Sequence, residues 1–192
     1  MITALILAAG QSKRMGRPKM MLPWGETTVL EKVIATFKGG SIDDILVVTG
    51  GDRERVEALV GDSAGTTFNP NYAAGEMLSS VQAGLAGLKP EAEAVLIGLG
   101  DQPQVRESSV QAVADAYRRS GATLVVPSFK MRRGHPWLVA RPHWDEILSM
   151  RPPASLRDFL NRHADEIRYV ELDNSSILQD LDTPEDYLKS RP

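Results

Sequence analysis

Along the chain, short apolar runs alternate with helical stripes. Residues 2–7, 44–48 and 94–99 are apolar runs that end in Gly or small residues, the pattern of strands buried on both faces. Val29, Leu30, Val33, Ile34 and Phe37 recur at helical spacing, and Gly39-Gly40 closes that helix. Val56, Leu59 and Val60 form a shorter stripe, and Met77, Val81, Leu85 and Leu88 mark one face of a helix over 76–88. Val110, Val113 and Tyr117 mark another helix after Pro103. Residues 123–127 and 136–140 read as strands, and Pro152-Pro153 introduces a helix lined by Leu156, Phe159 and Leu160. Residues 167–172 and 177–181 are strand-like, and a final helix follows with Thr183 as N-cap and Pro184 at its first position.

Strands alternating with helices predict a three-layer α/β/α, Rossmann-like fold around a mostly parallel sheet, with residues 1–192 as one domain. Such sheets bind ligands at the carboxyl ends of their strands. That directs attention to loops 9–19, 49–52 and 100–103.

Composition narrows the chemistry. With 22 Lys and Arg against 25 Asp and Glu, the chain has a net charge of −3, which argues against nucleic acid as a partner. No cysteine is present, which excludes disulfides, thiolate metal sites and cysteine nucleophiles and fits a reducing cytoplasm. The opening apolar run is too short for a membrane span and has no basic segment ahead of it, so no membrane partner is expected.

Against this acidic background, Lys13, Arg14, Arg17 and Lys19 place four cations within seven residues. They follow the small residues Ala8, Ala9 and Gly10, where an anion can approach the backbone closely. The combination suggests a polyphosphate ligand, the alternative being a solvated basic loop. Five residues separate Gly10 from Gly16 and Arg17 follows, so the P-loop pattern is absent, as is G-x-G-x-x-G.

Asp101, in Leu99-Gly100-Asp101-Gln102-Pro103, follows an apolar strand. It is placed either to hold a phosphate-bound Mg²⁺ or to cap the next helix. Asp180 and Asp182 alternate with Leu181 and would share a face if the segment were a strand; Asp182 also precedes an N-capped helix. Ser79 and Ser80 stand in a helix's first turn, where capping and base recognition are both open. Arg133, Gly134, His135 and Pro136 follow the cationic stretch 130–133. His143 and His163 fall in predicted helices without metal-ligand spacing and read as structural. Of the three tryptophans, Trp24 lies nearest the basic loop.

The segment Leu7-Ala8-Ala9-Gly10-Gln11-Ser12-Lys13-Arg14-Met15-Gly16-Arg17-Pro18-Lys19 resembles the signature of the MobA-like nucleotidyltransferases, especially the molybdenum cofactor cytidylyltransferases. Residues 75–85, 100–103, 133–136 and 180–186 extend the resemblance over nearly the whole chain in the family's order. It implies transfer of CMP from CTP to the terminal phosphate of molybdopterin, Mg²⁺-dependent, with pyrophosphate released. A molybdenum hydroxylase would then receive the cofactor. By the same resemblance, Leu7, Ala8, Ala9, Gly10, Arg14, Lys19, Gly75 and Ser80 meet the nucleotide. Asp101 and Asp182 hold the metal, Arg14, Lys19 and Asp101 act in catalysis, and Arg133 and His135 meet the acceptor. Ala9, where guanylyl-transferring relatives tend to carry Gly, leans towards CTP. Competing readings are a guanylyl or other nucleotidyl transfer to a different phosphorylated acceptor, an NAD(P)-linked oxidoreductase of the same superfamily, and a cofactor chaperone.

Overall fold

The computed structural model describes residues 1–73 and 77–192. In chain order, its first elements are β1 (Ile2–Leu7), β2 (Pro23–Trp24), β3 (Thr27–Thr28), α1 (Val29–Gly39), β4 (Ile45–Thr49), α2 (Arg53–Val60), β5 (Gly65–Phe68) and α3 (Met77–Ala86). There follow β6 (Ala94–Leu99), α4 (Glu107–Ser120), β7 (Leu124–Phe129), β8 (Arg132–Arg133) and β9 (Trp137–Ala140). Last come α5 (Trp144–Ser149), α6 (Leu156–Arg162), β10 (Ile167–Glu171) and α7 (Pro184–Ser190).

The main sheet runs β10-β7-β9-β6-β1-β4-β5, with β8 paired to β7. Pairs β6–β1, β1–β4, β4–β5 and β7–β10 are parallel, while β9 is antiparallel to both neighbours. Alternation along β1 builds two cores. Ala4, Ile6 and Ala8 face α1, α2 and α4, whereas Leu5, Leu7 and Ala9 face α3, α5 and α6. Helices therefore cover both faces, and the three-layer, mostly parallel fold read from the sequence is the fold observed. Among the described residues no helix is long and apolar enough to cross a membrane.

β1 and β6 span the residues predicted for them, because buried strands carry unbroken apolar runs. The expected N-cap is also present: the Thr183 side chain accepts from Asp186 N, with Pro184 at the first helical position. Several elements depart from expectation. Residues 177–181 are not a strand but a 3₁₀ turn, Ser176–Leu178, followed by irregular chain. Ile177 and Leu181 are fully buried there as separate plugs, which mimics a strand pattern. β5 was not foreseen, since Gly-Thr-Thr-Phe at a sheet edge has no apolar run. The β2–β3 hairpin turns at Gly25, whose φ of 61° favours glycine.

Candidate active site

The loop after β1 is shaped by Ser12. Its backbone has φ 51°, its carbonyl accepts from Met15 N and Gly16 N, and its hydroxyl accepts from Lys19 N at 3.0 Å. Met15 is buried in a small apolar cluster with Leu22, Trp24, Val29, Leu181 and Tyr187. Trp24 thus supports the loop from beneath rather than facing a ligand. Arg17 lies 5.8 Å over the Tyr187 ring on the same cluster. Two glycines let other strand ends close on the loop. A Cβ on Gly50 would stand 2.3 Å from the Ala9 carbonyl oxygen, and one on Gly100 would stand 3.0 Å from that of Leu7. The expected chemistry at 49–52 is therefore a backing contact.

This folding delivers Lys19 to the carboxyl edge of the sheet, on a 3₁₀ turn, Lys19–Met21. Its Nζ donates to Asp101 Oδ2 and to Asp182 Oδ1, each at 3.0 Å. Arg14 reaches the other oxygen of Asp182 at 2.9 Å. Burial opposes the charge of Lys19, but the two carboxylates outweigh it and hold its pKa above the ordinary lysine value. Asp182, not Asp180, thus converges with Asp101. Asp180 instead accepts from Gln102 Nε2 at 2.7 Å, and its pKa is raised by burial and by the charges of Asp101 and Asp182. The Leu181 amide also reaches the Asp101 carbonyl at 3.3 Å, tying the two carboxylate-bearing segments together. The two carboxylate oxygens aim at one point, now held by an ammonium. An oxygen-ligated divalent cation suits such a point.

Beside this cluster is a cavity of about 240 Å³ bounded by Leu7, Ala9, Gly10, Tyr72, Ser80 and Asp101. Ala8 is buried behind it, and its amide is bonded to Val48 O. Ser80 is buried in the first turn of α3, and its hydroxyl accepts from Asn69 Nδ2 at 3.1 Å. Asn69 follows directly on β5 and also binds Ser79 Oγ at 3.0 Å. Sequence reading missed this asparagine; its only signal was the Asn69-Pro70-Asn71 turn chemistry. Gly75 lies outside the described residues.

Met77 also borders a second, larger cavity of about 610 Å³. Arg133 and His135 both line it, together with Trp137, Arg157, Leu160 and Asn161. Arg133 is held by Tyr169 Oη and Asn161 Oδ1, at 2.6–2.9 Å. The backbone N–H of His135 donates to Ile177 O at 3.1 Å, while its Nε2 is buried with no hydrogen-bond partner among the described residues. Burial pushes its pKa down to about 4, so the ring is neutral at physiological pH. Arg157 went unread and Trp137 was set aside in favour of Trp24, because isolated residues on a helix start and a strand carry no motif.

A cavity lined by small residues such as Ala9, Gly10 and Ser80 beside a Lys–Asp–Asp cluster fits the site of a nucleotidyltransferase, and sequence comparison decides the family. The MobA-like NTP transferase domain matches residues 4–167. The chain belongs to that family. As a MobA-like transferase it is an enzyme of nucleotidyl transfer. Its relatives include the molybdenum cofactor cytidylyltransferase of Escherichia coli (strain K12), 30% identical over 99% of this chain and 95% of the relative. The nicotine blue oxidoreductase of Paenarthrobacter nicotinovorans is 29% identical over 96% and 93%. Among solved structures, Rv0371c of Mycobacterium tuberculosis H37Rv superposes with a TM-score of 0.85 at 27% identity, covering 98% of this chain and 96% of that one. The same mycobacterial protein has also been solved in complex with manganese.

Proposed function

We propose that this MobA-like transferase moves CMP from CTP to the terminal phosphate of molybdopterin and releases pyrophosphate. The observation that carries the proposal is the convergence of Lys19, Asp101 and Asp182 at 3.0 Å contacts beside the small-residue cavity. The nucleotide lies with its phosphates along Ala9 and Gly10 and its base towards Ser80, while the acceptor occupies the larger cavity across Met77. An acceptor phosphate oxygen attacks the α-phosphorus, forming one P–O bond as the bond to pyrophosphate breaks. Because the nucleophile is already an anion, positioning and charge neutralisation carry the reaction and no general base is needed.

The chain's own groups are suited to this. Asp101 and Asp182 would hold a divalent cation, Mg²⁺ in our reading, which when bound neutralises triphosphate charge. The manganese in the mycobacterial relative supports a divalent ion. Lys19, displaced from the two carboxylates, pairs with the phosphates, and exposed Arg14 follows pyrophosphate as it leaves. Arg133, pre-set by Tyr169 and Asn161, offers its remaining surface to the acceptor. Neutral His135, whose Nε2 has no partner among the described residues, is suited to a polar heterocycle such as a pterin. CTP is favoured by Ala9 and by the cytidylyltransferase relative, molybdopterin by that relative alone. Transfer of the finished cofactor to a molybdenum hydroxylase is part of the same reading.

The nicotine blue oxidoreductase relative supports one competing activity. A thermal-shift panel of CTP, GTP, UTP, ATP and NADP with Mg²⁺ separates them. Selective stabilisation by CTP, about 2.7 kcal/mol at a hundredfold excess over Kd, is expected. Stabilisation by NADP alone overturns the transfer reading, and by GTP alone the base assignment.

A further inference from the structure

The amino edge of the same sheet carries a cluster that transfer chemistry does not use. β9 runs antiparallel to β6, so the chain leaving β9 emerges opposite the edge that bears Asp101. There His143 ends a 3₁₀ turn, Arg141–His143, His163 caps the C-terminus of α6, and Glu166 immediately precedes β10. One ligand atom from each of these three residues lies within 4.8 Å of the others. We propose that His143, His163 and Glu166 form a binding site for a divalent transition metal of the zinc class.

The distances bracket what such an ion requires. His163 Nδ1 is 2.7 Å from Glu166 Oε1, and His143 Nε2 is 3.9 Å from Glu166 Oε2. Tetrahedral bonds of about 2.0–2.1 Å put ligand atoms roughly 3.3 Å apart. Small side-chain rotations therefore suffice. Glu146 Oε2, 2.7 Å from His163 Nε2, is the outer carboxylate that orients an imidazole ligating through Nδ1, and the fourth position is open to water. Thr123 Oγ1, 2.8 Å from His143 Nε2, rotates away when that nitrogen takes a metal.

Donor chemistry selects the ion. Two imidazoles and a carboxylate suit Zn²⁺, Co²⁺ or Ni²⁺, whereas Mg²⁺ prefers oxygen. Burial keeps His143 below the ordinary histidine pKa and so in the neutral form that ligates metals. Phe159, fully buried, forms an apolar floor with its ring 5.6 Å from His143 and 4.7 Å from His163. Glu166 is half-exposed and leaves a path for the ion from solvent. Two glutamates balance a dication, and Arg162 holds Glu146 at 2.8 Å. Since α6 runs from the larger cavity at Leu156 and Leu160 to this cluster at His163, an ion here would fix one wall of that cavity from behind.

The test uses the full chain carrying Asp101→Asn and Asp182→Asn, which disables the other candidate cation position. After EDTA treatment it is titrated with Co²⁺ and then Zn²⁺. One Co²⁺ per chain is expected, with the visible absorption of a tetrahedral ion, displaced by Zn²⁺ but not by a hundredfold excess of Mg²⁺. Zn²⁺ at a hundredfold excess over Kd should raise Tm by about 5–10 °C. Glu166→Gln and His163→Gln, both at partly exposed positions, should each weaken Co²⁺ binding by more than about 100-fold, beyond the roughly 10–100-fold cost of losing an outer-shell partner. Absence of the Co²⁺ spectrum, or binding unchanged by both substitutions, overturns the proposal.

Discussion

At the carboxyl edge of β6 an ammonium sits 3.0 Å from each of two carboxylates, while at the opposite edge of the sheet, where β7 and β10 begin and β9 ends, two imidazoles lie among glutamates. Both clusters join residues remote in sequence, but they hold charge differently. At the first cluster burial works against the charge of Lys19, but Asp101 and Asp182 outweigh it and raise its pKa, so the ammonium persists through the physiological range. The histidine cluster titrates. Carboxylate hydrogen bonds, from Glu166 first and Glu146 next, raise the His163 pKa, whereas burial, aided by the charge of His163, lowers that of His143. The lysine-centred cluster is preorganised for polyphosphate by geometry and charge. A histidine cluster responds to protons and to metals of the zinc class.

The sharpest way to break this contrast is Asp101→Ala. Loss of that carboxylate should lower the rate of pyrophosphate release about 10²–10³-fold, the scale seen when one preorganised electrostatic partner is removed. His163→Gln at the opposite edge should leave that rate within about threefold. Near-wild-type release from Asp101→Ala and Lys19→Ala together would remove the carboxyl edge from the chemistry.

Gly50→Ala tests whether the phosphate loop depends on its backing strand. The added Cβ meets the Ala9 carbonyl, so stability should fall by about 1–3 kcal/mol in urea unfolding, and stabilisation by CTP should fall with it. Lys19→Met leaves Asp101 and Asp182 facing each other without their shared donor. A loss of about 1–3 kcal/mol is expected without metal, and Mg²⁺ should restore part of it.

The smallest effect separates the two histidines. His163 has a raised folded pKa, so its contribution is complete below the unfolded value near 6.5 and is lost as pH rises through the folded value. His143 and His135 are depressed; their stability is complete above about 6.5 and declines as pH falls through their folded values, about 4 for His135. In metal-free buffer, His163→Gln should therefore cost about 0.5–1 kcal/mol at pH 5.5 and progressively less at higher pH. A pH-independent difference would show that its ion pairs contribute nothing.

The histidine cluster was hidden for a plain reason. His143 and His163 stand twenty residues apart on separate turns, and no local spacing marks ligands supplied by different elements. Asp182 was legible only through family resemblance. The strand expected at 177–181 would have placed Asp180 and Asp182 on one face, but Ile177 and Leu181 are anchored separately, by His135 N and the Asp101 carbonyl. Asp180 turned instead to Gln102.

By itself the sequence determined the alternation of strands and helices, the buried central strands, the capped final helix and the basic loop. These depend on local apolar periodicity and capping chemistry, which act over a few residues. Tertiary structure decided which charges meet. Lys19 is 82 residues from Asp101 and 163 from Asp182, and only strand order and the tie between 101 and 181 bring them to one point. Coulomb attraction depends on distance in space, and sequence separation does not report it.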